Sequence, residues 1–281
     1  MKKNLLFVFF TALVCGFSFA QTVHIAGVAR VGLNNYDAVY WRNGARTVLP
    51  RTAESAHAYA IAVSGSNVYI AGSDGDDAVY WLNGRRTVLP RTGGSANAYS
   101  IAVSGSNVYV AGYDGMAAVY WLNGNRTVLP DTDDEAEAYS INISGPDIII
   151  AGVNVKYESN AEKKSVSYLF SAVYWINGRL NFLPSNDAYE ASAEAMAVSG
   201  SNVYIAGYDG DNAVYWLNGI RTVLPGSGRN SAGALAIAVS GSNVYIAGQD
   251  GEDAAYWLNG SRTALPRAGS DERAWAIAVS Q

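Results

Sequence analysis

The chain has 281 residues, with 24 Asp or Glu against 19 Lys or Arg and a formal net charge of −5. That balance argues against nucleic acid as a partner, because such binders set an excess of cations against phosphates. With 49% apolar and 15% charged residues, 29 Gly and 19 Tyr, the composition suits an all-β protein rich in tight turns, and no long stretch shows the three- and four-residue apolar spacing of a helix.

In chain order, residues 1–20 read as an export signal. Lys2 and Lys3 are followed by an apolar run from Leu5 to Val14, and Ser18-Phe19-Ala20 forms a small-x-small cleavage site before Gln21. The run is too short to cross a bilayer, and no other segment is long and apolar enough to do so. Its short Lys-Lys start resembles bacterial signals, so the expected location is the periplasm or the outside of the cell. Cys15 is the only cysteine, and Val14 before it is too bulky for a lipobox. Residues 21–281 are thus expected to form one domain that relies on its core without disulfides.

From residue 22 onward the chain is repetitive. Tyr-Trp pairs fall at 40–41, 80–81, 120–121, 174–175, 215–216 and 256–257, each followed by x-Asn-Gly and then Leu-Pro. A period near forty residues filled with short strands points to a β-propeller. Residues 58–90 serve as a specimen. Ala58 to Ser64 is a first strand, Gly65-Ser66-Asn67 a turn, and Val68 to Gly72 a second strand. After the loop 73–77 comes a third strand, Ala78 to Leu82. Asn83-Gly84 is a strong hairpin signal because both residues tolerate positive φ. Arg86 to Leu89 is the fourth strand, stopped by Pro90.

The chain starts in mid-repeat, at a second strand (Val23 to Gly27), and ends after a first strand, Ala274 to Ser280. The last strand therefore fits beside the first and removes a free sheet edge. The expected fold is an all-β, six-bladed β-propeller with four antiparallel strands per blade, closed by the C-terminal strand.

The phrase Ala-Ile-Ala-Val-Ser-Gly-Ser-Asn-Val-Tyr-Ile-Ala-Gly, found around Ala62 and Ala236, resembles the first two strands of NHL-type propeller repeats. The chain over 22–281 also resembles exported bacterial proteins with Tyr-Trp-x-Asn-Gly repeats, which generally have no assigned function. NHL-type propellers usually bind proteins or nucleic acid, and relatives include enzymes. The likeness is one of scaffold motifs and transfers no binding residue.

Residues present in every repeat are read as architecture. The repeated Trp (41, 81, 121, 175, 216, 257) is expected to pack between blades. Arg46, Arg86, Arg126, Arg221 and Arg262 are expected to reach turn carbonyls or a neighbouring blade, the sharper alternative being a polyanion-binding ring broken by Leu180.

Function is sought where the repeats differ. Loops after strands one and three share a uniform bottom face, and loops after strands two and four a variable top face. By this assignment every acidic residue but Asp147 lies on or against the top. Two top loops are oversized: Val28 to Asp37, with Asn34 and Tyr36, and Val153 to Ser171, with Tyr157, Lys163, Lys164, Tyr168 and Phe170. These are the candidate contact residues for a partner.

Four top loops carry Asp-Gly, and Asp74, Asp76, Asp209, Asp211, Asp250 and Glu252 are candidate calcium ligands by their clustered oxygens, against the plainer reading as turn formers. Catalytic signals are thin: the only histidines are His24 and His57, and no nucleophile, base and orienting group fall into a recognisable pattern. The expected function is a monomeric, non-enzymatic binding module for a protein partner, acting through its acidic top face. A lectin, possibly assisted by calcium, is the alternative, and a metal-dependent hydrolase or lactonase comes third. Glu194 and Asn142 are the main polar departures on the first strands.

Overall fold

The computed structural model describes residues 22–33, 35–132, 134–160, 165–187, 190–228, 231–267 and 272–279. Residues 1–20, expected to be an export signal, lie outside them. The described residues hold strands and turns and no helix, so none offers a helix long and apolar enough to cross a membrane.

Blade one contains β1 (His24–Arg30), β2 (Tyr36–Arg42) and β3 (Ala45–Val48). Blade two contains β4 (Ala56–Ser64), β5 (Asn67–Asp74), β6 (Asp77–Leu82) and β7 (Arg85–Val88), and blade three β8 (Ala96–Ser104), β9 (Asn107–Asp114), β10 (Ala117–Leu122) and β11 (Asn125–Val128). Blade four has β12 (Glu135–Ser144), β13 (Asp147–Asn160), β14 (Ser165–Ile176) and β15 (Arg179–Phe182). Blade five has β16 (Ala191–Ser199), β17 (Asn202–Asp209), β18 (Asn212–Leu217) and β19 (Ile220–Val223). Blade six has β20 (Ala232–Ser240), β21 (Asn243–Asp250), β22 (Asp253–Leu258) and β23 (Ser261–Ala264). Each sheet is an antiparallel meander; five have four strands and blade one has three. This is a propeller-like all-β array. No strand pairing among the described residues joins residues 272–279 to β1.

Local chemistry explains the repetition. At the third turn Asn83 (φ 50°) and Gly84 (φ 84°) take the left-handed conformations of a type I′ hairpin. The Asn83 side chain accepts from Val68 N–H and donates to Asn67, tying the two bottom turns together. Every first strand in blades two to six carries a bulge, between Ala58 and Ala60 in blade two. Opposite it stands Gly72, where a Cβ would meet the His57 carbonyl oxygen at 1.8 Å; the bulge therefore needs glycine.

The core lies between blades. Trp81, Trp121, Trp175, Trp216 and Trp257 are fully buried. Each indole N–H donates to the carbonyl of the proline that ends the preceding blade: Trp81 to Pro50, Trp121 to Pro90, Trp175 to Pro130, Trp216 to Pro184 and Trp257 to Pro225. The donor would otherwise be buried unpaired, so the Leu-Pro stop and the next Tyr-Trp form one device.

The expected long loop over 153–171 is instead, in its described residues, a pair of antiparallel strands, the two arms of a hairpin. β13 and β14 continue past the length of their counterparts and stay paired from Ile149↔Ile176 to Asn160↔Ser165. Alternating residues such as Val153, Val155, Tyr168 and Phe170 support the pairing, a pattern obscured by the charged residues among them.

Candidate functional site

The first strands of consecutive blades stand side by side and form the inner lining of the array. Each begins at the top face, and its bulge frees one residue from the ladder. Those residues are Tyr59, Tyr99, Tyr139, Glu194 and Leu235 in blades two to six. Two positions earlier, nearer the top, stand His57, Asn97, Glu137, Ser192 and Gly233. The scaffold is constant, but the rim position differs in every one of these blades, and the bulge position departs from tyrosine in blades five and six.

The lining forms an aromatic chain. Ring centroids lie 5.1 Å apart for Tyr36 and His57, 5.8 Å for His57 and Tyr59, and 5.5 Å for both Tyr59–Tyr99 and Tyr99–Tyr139. Tyr113 packs on Tyr99, and its hydroxyl accepts from the Asn97 amide nitrogen at 2.6 Å. Tyr59 is 46% exposed, so the chain offers an aromatic surface as well as a packed one.

Two carboxylates close the cluster. Burial pushes the Glu137 carboxyl up, and the negative charges of Glu135 and Glu194 add to this, while the hydroxyls of Tyr139 and Tyr99 pull it back. Burial also raises Glu194, with Ser192 favouring its charged form. Tyr208 is pushed up to about 12 by burial and by the charges of Glu194 and Glu190. Burial raises Tyr139 as well, with Glu137 and Glu194 adding to it. Among the described residues neither Glu137 nor Glu194 forms an ion pair. Half-buried carboxylates beside aromatic faces suit a cation, which would favour their charged form.

The residues expected to contact a partner divide into two groups. Tyr157 and Tyr168 meet edge to face at 5.1 Å on the blade-four hairpin, and Phe170 stacks beside Tyr168 at 6.5 Å. The Tyr157 hydroxyl bonds Glu135, whose charge in turn acts on Glu137, so this hairpin adjoins the lining. Tyr36 stands at the blade-one end of the aromatic chain, against His57. Lys163, Lys164 and Asn34 lie outside the described residues.

The Asp-Gly carboxylates have protein partners. Asp74 accepts from Thr52 N–H, Ala53 N–H and the Thr52 hydroxyl, and pairs with Arg86 at 2.7 Å. Arg126–Asp114, Arg221–Asp209 and Arg262–Asp250 repeat the pair. Arg86, Arg126, Arg221 and Arg262 therefore make no cationic ring and do not reach a neighbouring blade: each clamps the aspartate of its own blade, which binds the loop arriving from the blade before, whereas blade one, which carries Arg46, has Ala29 at the aspartate position. Blade four has buried Asn154 at the aspartate position and Leu180 at the arginine position, so the pair is lost together. Burial opposes ionisation of Asp74, Asp114 and Asp209, but the N–H donors, the hydroxyls and the arginine outweigh it and hold the carboxyls below their ordinary range.

Asp209 and Asp211 line a 300 Å³ hollow with Asp187 and Asn212, but Arg221 also lines it. Asp76 is exposed, and Glu252 pairs with Arg267 at 2.6 Å. Among the described residues no three acidic, histidine or cysteine side chains gather as a metal-holding group. A larger cavity of 830 Å³ opens between blades one and two toward the bottom turns, where His24 and Arg42 stand in for the tyrosine and leucine of later repeats.

Sequence alone does not single out Tyr59, Tyr99 or Tyr139, and it places Glu137 in an acidic run with Asp131, Asp133, Asp134 and Glu135 that reads as a solvated loop, whereas Glu137 stands on β12. The available signal is variation within the first strands, which does mark Glu194. Asn142, marked with it, lies further along β12 opposite Ile149, away from the top.

No protein-family model matches the chain, and no curated protein matches it. Solved structures do. A computationally designed protein, Ika8, matches with TM-score 0.51 and 15% identity over 88% of this chain and 72% of that one. The extracellular domain of a protein described as a one component system from B. thetaiotaomicron matches with TM-score 0.53 and 11% identity over 91% of this chain, which spans 36% of that one. At these identities the likeness is one of fold.

Proposed function

We propose that the protein is an exported, non-enzymatic binding module that holds a protein partner on its top face. A basic side chain of the partner enters the tyrosine-lined mouth and meets Glu137 and Glu194. The observation that supports this is the pair of half-buried carboxylates with no ion-pair partner among the described residues, set against the tyrosine chain. The blade-four hairpin, with Tyr157, Tyr168 and Phe170, flanks that mouth and supplies further contact area. Calorimetric titration with a tri-lysine peptide tests the reading: saturable binding is expected, weakened about tenfold in Glu137→Gln/Glu194→Gln, a loss typical of one charge-assisted contact. Equal binding by the double variant would refute it.

The same reading takes the array as a six-bladed propeller closed by its C-terminal strand. Glu272 N–H donates to Glu252 O at 3.0 Å, as Ala96 does to Asp76, Ala136 to Met116 and Ala232 to Asp211, so the segment starts where a first strand starts. Ile25 is 51% exposed whereas its counterpart Ile70 is 2% exposed, which marks the face a closing blade would cover. The exposed ring of Tyr59 favours carbohydrate as a second reading. A glycan array decides it: a lectin binds neutral sugars there with or without the glutamates.

A further inference from the structure

We propose that the C-terminal segment finishes the mouth by seating Trp275 at the sixth bulge position, between Leu235 and Tyr59, where it forms part of the wall that contacts the ligand. This rests on the binding reading above. Three observations carry the placement.

The first is register. Ala274-Trp275-Ala276-Ile277-Ala278-Val279-Ser280 repeats Ala58 to Ser64 with Trp in place of Tyr59, the residue that the bulge frees. The second is the receiving strand. Gly27 stands where Gly72, Gly112, Gly152, Gly207 and Gly248 stand, and at those positions a Cβ would strike a first-strand carbonyl at 1.8 to 2.0 Å. At Gly27 the nearest atoms are in the Trp41 ring, at 3.4 Å, so this glycine keeps room for a bulged strand that β1 does not pair with. Third, Trp275 is 66% exposed, an expensive position for its ring, with the Arg273 guanidinium 5.8 Å above it. Insertion also brings Arg273 to the rim position held by His57 in blade two and Glu137 in blade four.

In such a seat Ala276 faces Ala26 as Ala60 faces Ala71. The test is Ala26→Cys/Ala276→Cys in the full chain on a Cys15→Ser background, oxidised and sized without reductant. An intramolecular disulfide is expected, because facing Cα atoms on antiparallel strands lie within disulfide reach. Free thiols or a disulfide-linked dimer would overturn the seat. Trp275→Ala, which alters no repeated contact, is expected to weaken tri-lysine about tenfold while the disulfide of the paired-cysteine protein still forms. Unchanged tri-lysine affinity would overturn the contact role. Should the disulfide form while the unsubstituted protein ignores tri-lysine, the seat stands and it is the ligand reading that fails, and the contact role with it.

Discussion

Gly112 and Tyr99 face each other across a single bulge in blade three, yet they answer to different demands. Gly112 has a glycine counterpart in every blade, and in blades two to six a Cβ there would strike the backbone opposite. Tyr99 is freed by that bulge from any pairing, and its counterparts are Tyr59, Tyr139, Glu194 and Leu235. Where backbone geometry constrains a position the copies agree; at the freed position three keep tyrosine while blades five and six change to Glu194 and Leu235. The repeated parts thus hold a fixed frame, and the freed positions leave room for variation.

The contrast can be broken most severely at the frame. Trp121→Ala removes a fully buried ring and leaves the Pro90 carbonyl without its donor, so a loss of about 4 kcal/mol is expected in denaturant unfolding. Gly112→Ala should cost about 3 kcal/mol, since the Asn97 carbonyl at 1.8 Å cannot yield without undoing the bulge. Asp114→Asn leaves Arg126 without its charge partner and should also cost about 3 kcal/mol, whereas the same change at exposed Asp76 should be neutral within about 0.5 kcal/mol.

Acid sharpens the comparison, because the two regions titrate in opposite senses. Asp74, Asp114 and Asp209 have folded values held below 3.8, so their stabilisation is complete above the ordinary carboxylate range and is lost as pH falls beneath it. Glu137 and Glu194 have folded values raised above 4.5, so their charged forms cost stability near neutrality, and protonation relieves it. Lowering pH from neutral toward 4.5 should therefore weaken tri-lysine binding before the fold responds, as seen by titration beside far-ultraviolet dichroism. Stability that falls in step with binding would contradict the separation.

The smallest effect concerns calcium. Because the Asp-Gly carboxylates are occupied by arginine and backbone donors, millimolar calcium is expected to move the melting temperature by less than about 1 °C. A larger shift, reversed by chelator, would return those loops to the list of sites.

Much of this frame was legible before any coordinates. Asn-Gly placed the hairpins, Leu-Pro ended the fourth strands, and the repeated Tyr-Trp marked the interfaces, because each depends on bonds local to one repeat or to adjacent ones. The blade-four hairpin was harder to read: its pairing runs through Lys156, Glu158 and Ser167, whose polarity resembles that of a loop. The proposed mouth was harder still, since Glu137, Glu194 and the three tyrosines come from four different repeats.

The sequence by itself determined a repeating four-stranded unit and the residues that make each turn and stop, since those choices are set by φ angles, missing N–H groups and side-chain alternation. Only the tertiary structure decided that Arg86 belongs to Asp74, that the bulge releases Tyr59 from the ladder, and that two glutamates share a desolvated site. Burial and Coulomb interaction depend on distances between chain segments, and packing the blades side by side is what sets those distances.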